Sequence, residues 1–386
     1  MSSVSQHILQ LLVSIITFFL SVAAFRHLAN VPYRQRIIFS PLLYIPAALS
    51  FATADSWPGD LNGLWGLLLC IWAGHSTSVL FIEDPRFLEP REPKLWNNPR
   101  LLGTSFRDVK GSTPSARSPV SVARFTIMRL GKLAAYTGIY YAVTTWIFPA
   151  AFIPMHIDEF GPAHQRYFRR LPLLPGTAAP AVGVTLRETL LRCAFIIWWL
   201  LSAAGLLDAT HAAISLVAVS LLHFDEPSEW PDLFGSPSLA YTIRRFWSKF
   251  WHQIVRRTYT NYGKCVSRNL LRLTPCSLLD RIVVILVTFF LSGVSHAAVS
   301  WLLGDRCGWA LDIWWFCVNF VAGFLEAGAV LMLRVVLTRI GKGHLLERLG
   351  GSAWGRVLGF IWVFAFMFWS IPKWQYPKLY CRLGGV

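Results

Sequence analysis

Two histidines stand where chemistry could be done. His252 sits in RRFWSKFWHQIVRR (residues 244–257), where cations and large rings crowd together in a chain that is otherwise greasy. Read as a helix, Arg245, Lys249, His252 and Arg256 fall at i, i+4, i+7 and i+11 and share a face. Trp247, Trp251 and Ile254 form a second stripe, and Phe246 and Phe250 a third. A basic aromatic helix of this kind can lie at a membrane interface as an anchor, its indoles at headgroup level. It can also hold an anionic, partly aromatic cofactor, with His252 as an added hydrogen-bonding group. Both readings stay open on the residues alone.

His296 is different. It lies past the middle of RIVVILVTFFLSGVSHAAVSWLL (residues 281–303), and no formally charged residue falls between Arg281 and Asp305. Ser292, Gly293 and Ser295 precede it, small enough for another helix or a substrate to come close. An ionisable group in such a span marks a functional site by default. The competing reading is a histidine hydrogen-bonded between helices.

Other polar residues in apolar runs carry less. His75 in WAGHSTSVL sits beside hydroxyls and reads as structural, and Glu326 in AGFLEAGAV is an intramembrane acid that could pair or serve a site. His211 and His223 flank a short apolar stretch, with Asp225, Glu226 and the turn-rich PSEWPDLFG after it. None of these makes HExxH or another metal spacing, so no metal site is expected. There is no P-loop, no G-x-S-x-G elbow and no Rossmann glycine pattern.

The elements that must position these residues are membrane helices. The chain of 386 residues is 54% hydrophobic and only 15% charged, against about 25% charged in ordinary soluble chains. Stretches of about 20 apolar residues, the length that crosses a bilayer, fall at about 8–25, 37–54, 61–82, 134–153, 187–206, 281–304, 309–333 and 357–371. The first has a long apolar run and no basic leader, so an uncleaved anchor is expected. The formal charge of +16 lies between the apolar runs, in the pattern of the positive-inside rule, and nucleic acid is not an expected partner. The loop with Arg26, Arg34 and Arg36 and the long loop 83–132 then face the cytosol, with the N-terminus lumenal. The weaker candidate 211–224 is too short to cross. Read as a re-entrant or interfacial helix, it keeps the basic segment 225–280 cytosolic as well. The tail KWQYPKLYCR falls on the lumenal side despite its cations. The expectation is an all-α polytopic membrane protein: one domain over 1–386, about eight spans, and no internal repeat. Loop 101–124, rich in Ser, Pro and Arg, reads as flexible. The seven cysteines make no CxxC and read as small hydrophobes rather than disulfides.

EWPDLFGSPSLAYTIRRFWSKFWHQIVRR followed by FFLSGVSHAAVSW, a motif region within 225–303, resembles the wax synthase-like branch of the membrane-bound O-acyltransferases. The combination W-P-x-x-F-G, F-W-x-x-x-W-H and S-G-x-x-H carries the likeness. Many fungal members of that branch are acetyltransferases of secondary metabolism, acting on terpenoid or meroterpenoid alcohols. The resemblance implies that His296 is the catalytic base and His252 the second polar position of the site. It implies acetyl-CoA as co-substrate, with no permanently bound cofactor, and a hydrophobic alcohol as acceptor. Arg245, Lys249 and Arg256 would then attract coenzyme A phosphates, and Trp247 and Trp251 would line the approach. The expected membrane is the endoplasmic reticulum. Many members have an acid after the histidine, where this chain reads SHAA, so an acidic helper must come from elsewhere; Glu326 is the candidate.

Acyl transfer needs a group that takes the alcohol proton, stabilisation of the carbonyl oxygen, and exclusion of water. An unperturbed imidazole, pKa about 6.5, suits the first task near neutrality. No acyl-enzyme is required. Transfer of long acyl chains to fatty alcohols or sterols is the alternative within the class, and a transporter is the alternative outside it. A terpene cyclase would need several buried acids.

Overall fold

The computed structural model describes residues 3–83, 120–152, 155–171, 183–344, 348, 350 and 352–384. Among them there is no strand. The helices of seven or more residues are α1 (Ser3–Ala29), α2 (Tyr33–Phe39), α3 (Pro41–Ala52), α4 (Leu61–Thr77), α5 (Val122–Ala142), α6 (Leu186–Ser215), α7 (Arg256–Lys264), α8 (Leu278–Leu302), α9 (Ala310–Arg339) and α10 (Ala353–Arg382). Wider π-helical turns extend α4 to Ile82, α6 to Leu221 and α7 to Leu270. Six helices are long and apolar enough to cross a membrane, or eight if each of two bent pairs counts as one span. The pair α2 and α3 bends by 40°, where Pro41 begins the second helix. The fold is therefore the expected all-α polytopic one.

Three expectations change. The stretch 211–224 is not a separate re-entrant helix, because α6 and its extension run unbroken from Leu186 to Leu221. At 1.5 Å per residue its 36 residues reach roughly 54 Å, well beyond a hydrocarbon core of about 30 Å. With the bent pair Val122–Phe152 and Ile157–Gln165 counted as one span, two candidate crossings separate 132 from 225, the even number that the parity argument needs. The tail KWQYPKLYCR is helix, since α10 runs through Pro372 and Pro377 to Arg382. Two of its cations lie over indole faces, Lys373 over Trp369 at 4.4 Å and Lys378 over Trp374 at 5.8 Å. Cys307 and Cys381 are each disulfide-bonded, so not all the cysteines are small hydrophobes. Spacing could not reveal this, because bridging depends on approach in space. The loop 83–132 lies outside the described residues over 84–119, and its last part, with Arg124, Arg129 and Lys132, belongs to α5.

The described chain forms two compact units, one from Met1–Ser112 and Gln253–Val321, the other from Thr113–His252 and Ala322–Val386. In the first, Phe25, Leu28, Leu43, Trp72, Val79 and Leu80 form a buried core. Serine hydroxyls settle inside it: Trp72 Nε1 donates to Ser21 Oγ at 2.8 Å, and Ser21 Oγ donates to the Leu43 carbonyl at 2.8 Å. Arg36, expected as a cytosolic charge, is buried and donates to the carbonyls of Val31, Leu80 and Ala29. It thereby satisfies carbonyls that helix ends leave open.

In the second unit, α6 is gripped along its length. Gly205 lets α5 approach, since a Cβ there would stand 3.2 Å from the Tyr136 ring. Just beyond, the buried Asp208 pairs with Lys132 at 2.7 Å and accepts from the Tyr136 hydroxyl at 2.8 Å. Near its start, Arg192 is 1% exposed. It donates to the carbonyls of Phe368 and His164, and the rings of Tyr167, Phe368 and Tyr376 surround it.

Candidate active site

In the first unit, His296 sits on α8, which three helices contact. Towards α4, Val299 meets Gly66, where a Cβ would come within 3.0 Å, and Leu303 meets Gly63. Towards α7, Gly263 lies so close that a Cβ would stand 2.7 Å from the Val284 carbonyl. Tyr259 and Ser295 share a hydroxyl hydrogen bond of 2.6 Å on the same side. Towards α9 the helices run antiparallel: Ser300 Oγ donates to Asp312 at 2.7 Å, His296 stacks on Phe316 at 4.9 Å, Gly293 abuts Ile313, and Phe289 meets Phe320 at 6.4 Å. Gly293 and Ser295 of S-G-V-S-H thus each have a contact on a neighbouring helix, and the histidine is half-buried at the α8–α9 seam.

A polar knot ties α4 to α7 in the same unit. Arg257, the last cation of the RRFWSKFWHQIVRR stretch, hydrogen-bonds the Glu83 carboxylate and donates to His75 Nδ1 at 3.0 Å. Asn261 donates to Glu83 as well and to Ser78 Oγ. Burial holds the Arg257 guanidinium below its ordinary range, with Glu83 opposing the shift. His75 is 1% exposed and takes part in this knot. Burial pushes the Tyr259 phenol up to about 12, so it remains a protonated hydrogen-bonding group at neutral pH.

The motif around His252 belongs to the second unit, and its geometry corrects the helix expected for it. Ile243–Arg245 is one helical turn, Phe246–Phe250 a π-helical turn, and Trp251 is extended with φ −66° and ψ 152°. A helix resumes only at Arg256. Arg245, Lys249, His252 and Arg256 therefore share no face, and Arg256 falls in the first unit. Trp251 is a buried core residue, stacked on Phe246 at 5.4 Å and parallel to Trp199 at 6.5 Å, rather than a membrane anchor. Trp247 packs edge-on against Phe246 and Trp251. Arg245 donates to the Leu239 carbonyl and lies 4.4 Å over the Tyr241 ring. Lys249 is exposed, as is Arg256.

The turn W-P-D-L-F-G holds this segment. The Gly235 amide donates to the Phe250 carbonyl at 2.8 Å, and the Lys249 carbonyl occupies the space a Cβ on Gly235 would need. Phe234 then reaches the rings of Trp251 at 5.3 Å and His252 at 5.9 Å, both edge-on. Asp232 is held by Arg129 and Lys132, while Trp230 lies 5.0 Å from the His211 ring and donates to Asp225. Glu326, weighed as a helper of His296, belongs to the second unit. Its Oε2 accepts from the Ile243 amide at 2.8 Å and from Trp362 Nε1 at 3.0 Å. Sequence reasoning missed Phe316, Tyr259, Phe234 and Arg257. Arg257 left a signal, lying with Arg244 outside the expected cationic face, and Phe234 is the phenylalanine of W-P-x-x-F-G.

An all-helical membrane protein with a histidine at a helix seam and a second in a tightly held aromatic turn is the class this architecture defines. The profile of the Membrane bound O-acyl transferase family matches residues 230–318, which contain both histidines. The acetyltransferase ataH of Aspergillus terreus is 30% identical over 283 residues, covering 72% of this chain and 85% of its own. The chain belongs to the membrane-bound O-acyltransferases. The acetyltransferase spyB of Aspergillus fumigatus is 32% identical over 202 residues, 49% of this chain and 32% of its own length. The acetyltransferase atnC of an Arthrinium species is 32% identical over 206 residues, 53% of this chain and 45% of its own. The chain thus spans between a third and a half of the length of those two relatives. No solved structure matches it.

Proposed function

We propose that this protein transfers an acetyl group from acetyl-CoA to a hydroxyl of a hydrophobic alcohol. The observation that carries the proposal is His296, an imidazole at an apolar helix seam inside the region that the Membrane bound O-acyl transferase family profile matches. His296 takes the alcohol proton as the oxygen attacks the thioester carbonyl. A C–O bond forms and the C–S bond breaks, and the imidazolium returns its proton to the departing thiolate, giving the ester and free coenzyme A. His252 polarises the thioester carbonyl. Lys249 and Arg256, both exposed, supply positive charge for the phosphates. Arg245, engaged with Leu239 and Tyr241, contributes charge from a fixed position. Trp251 supports His252 from the core, and Trp247 borders the approach. Coenzyme A is a co-substrate, not a resident group.

The membrane setting suits such a pair of substrates. An apolar alcohol reaches His296 from the bilayer, the charged nucleotide stays at the aqueous edge, and a dry seam protects the thioester. The acceptor we infer is a terpenoid or meroterpenoid alcohol, by likeness to the fungal branch. The membrane is that of the endoplasmic reticulum. With the basic loops cytosolic, Cys307 and Cys381 both face the lumen, where disulfides persist. The decisive experiment gives microsomes labelled acetyl-CoA and an apolar alcohol and compares wild type with His296→Ala. Unchanged transfer by the variant, at equal expression, would remove His296 from the mechanism.

A further inference from the structure

We propose that Gly293 and Phe316 are positioning residues that hold the His296 ring for proton transfer; this rests on the reading of His296 as the base. The His296 and Phe316 rings lie 4.9 Å apart between centroids and only 27° from parallel. Both imidazole nitrogens lie in the ring plane. A ring stacked on one face leaves its nitrogens clear of the stacking partner and loses freedom to swing about its side-chain torsions, which are otherwise broad for an aromatic ring. An unstacked histidine among small neighbours would sample several orientations, and few of them would aim a nitrogen at a bound hydroxyl.

The stack depends on how closely α8 and α9 approach, and Gly293 sets that distance. A Cβ at Gly293 would lie 2.7 Å from the Ile313 Cα, 3.2 Å from the Asp312 carbonyl and 3.3 Å from the Phe316 Cβ. The first two are backbone atoms, so a methyl group could be accommodated only by parting the helices. Gly293 precedes His296 by three residues and so shares its face of α8. The helix-to-helix closeness it permits is therefore transmitted to the imidazole directly. One turn further on, Ser300 Oγ donates to the buried Asp312 at 2.7 Å and locks the same seam. The glycine of S-G-x-x-H is then a spacer for the histidine, and Phe316 is the platform on which the ring rests.

Phe316→Ala, Phe316→Tyr and Gly293→Ala, with His296→Ala as control, test the inference in two ways. On purified protein, carbethoxylation of His296 by diethylpyrocarbonate is followed by mass spectrometry, which needs no acceptor. Phe316→Ala and Gly293→Ala should react several-fold faster than wild type, and Phe316→Tyr at the wild-type rate. In microsomes with labelled acetyl-CoA and farnesol as acceptor probe, Phe316→Ala should lower kcat roughly tenfold, the size of a lost aromatic stack, with KM for acetyl-CoA unchanged. Phe316→Tyr should restore kcat. Wild-type modification rates in both Phe316→Ala and Gly293→Ala overturn the proposal, as does failure of Phe316→Tyr to behave like wild type. If Gly293→Ala does not fold, the comparison of Ala with Tyr at 316 decides alone. Full transfer by His296→Ala would defeat the reading of the base instead, and the modification rates would still report whether the ring is held.

Discussion

The residues that matter most here are ordinary ones made specific by a neighbour. His296 is one imidazole in an apolar helix until Phe316 covers its face. General bases contribute roughly 10²–10⁴-fold, so His296→Ala should lower kcat by at least about 100-fold while detergent melting stays near wild type. Glu326 shows the converse. It is an intramembrane acid that by sequence could pair or serve a site, and its Oε2 accepts from the Ile243 amide and the Trp362 indole. Glu326→Ala removes that shared acceptor and should lower stability by about 1–3 kcal/mol, read as a fall in melting temperature. A fall in turnover with no thermal effect would argue against this structural role. For coenzyme A, Lys249→Ala with Arg256→Ala should raise KM for acetyl-CoA several-fold and leave kcat unchanged, and added salt should mimic the effect in wild type.

Elements are positioned here by small residues rather than by apolar bulk. In lipid, apolar faces gain little by meeting each other, so close backbone approach and internal polar bonds take over. Gly263 against Val284, Gly66 against Val299 and Gly205 against Tyr136 are such approaches. Gly263→Ala should part α7 from α8, break the Tyr259–Ser295 hydrogen bond and cost about 1–3 kcal/mol. Thermal unfolding in detergent measures it, and a neutral result would mean that the two helices are free to slide. The aromatic motif obeys the same logic. Its π-helical turn and extended Trp251 are held because the Gly235 amide donates to the Phe250 carbonyl, and any side chain at 235 would meet the Lys249 carbonyl.

Across the whole molecule, the orientation we propose rests on charge and on cysteine chemistry. Arg36 is spent on helix-end carbonyls and Lys373 on an indole face, so neither counts as a free loop charge. In that proposal the remaining basic loops are cytosolic and the disulfide-bonded Cys307 and Cys381 lumenal. In sealed microsomes treated with reductant, a membrane-impermeant maleimide should leave Cys307 and Cys381 unlabelled, and permeabilisation should expose them. Labelling of either in sealed vesicles would invert the topology.

The sequence by itself determined the solvent, the class of fold and the two histidines. Long apolar runs can exist only where backbone groups bond internally, so composition alone required membrane helices, and an ionisable residue inside one is rare enough to stand out. Motif likeness supplied the chemistry. Tertiary structure alone decided what Arg36, Lys373 and Glu326 contact, and where α6 ends. It also broke the expected helix at Trp251, because local periodicity cannot register a backbone held from outside by Gly235 and Glu326. Hydropathy follows the chain one residue at a time. The stacking of His296 on Phe316 is a contact across two helices, fixed by how closely Gly293 lets them approach.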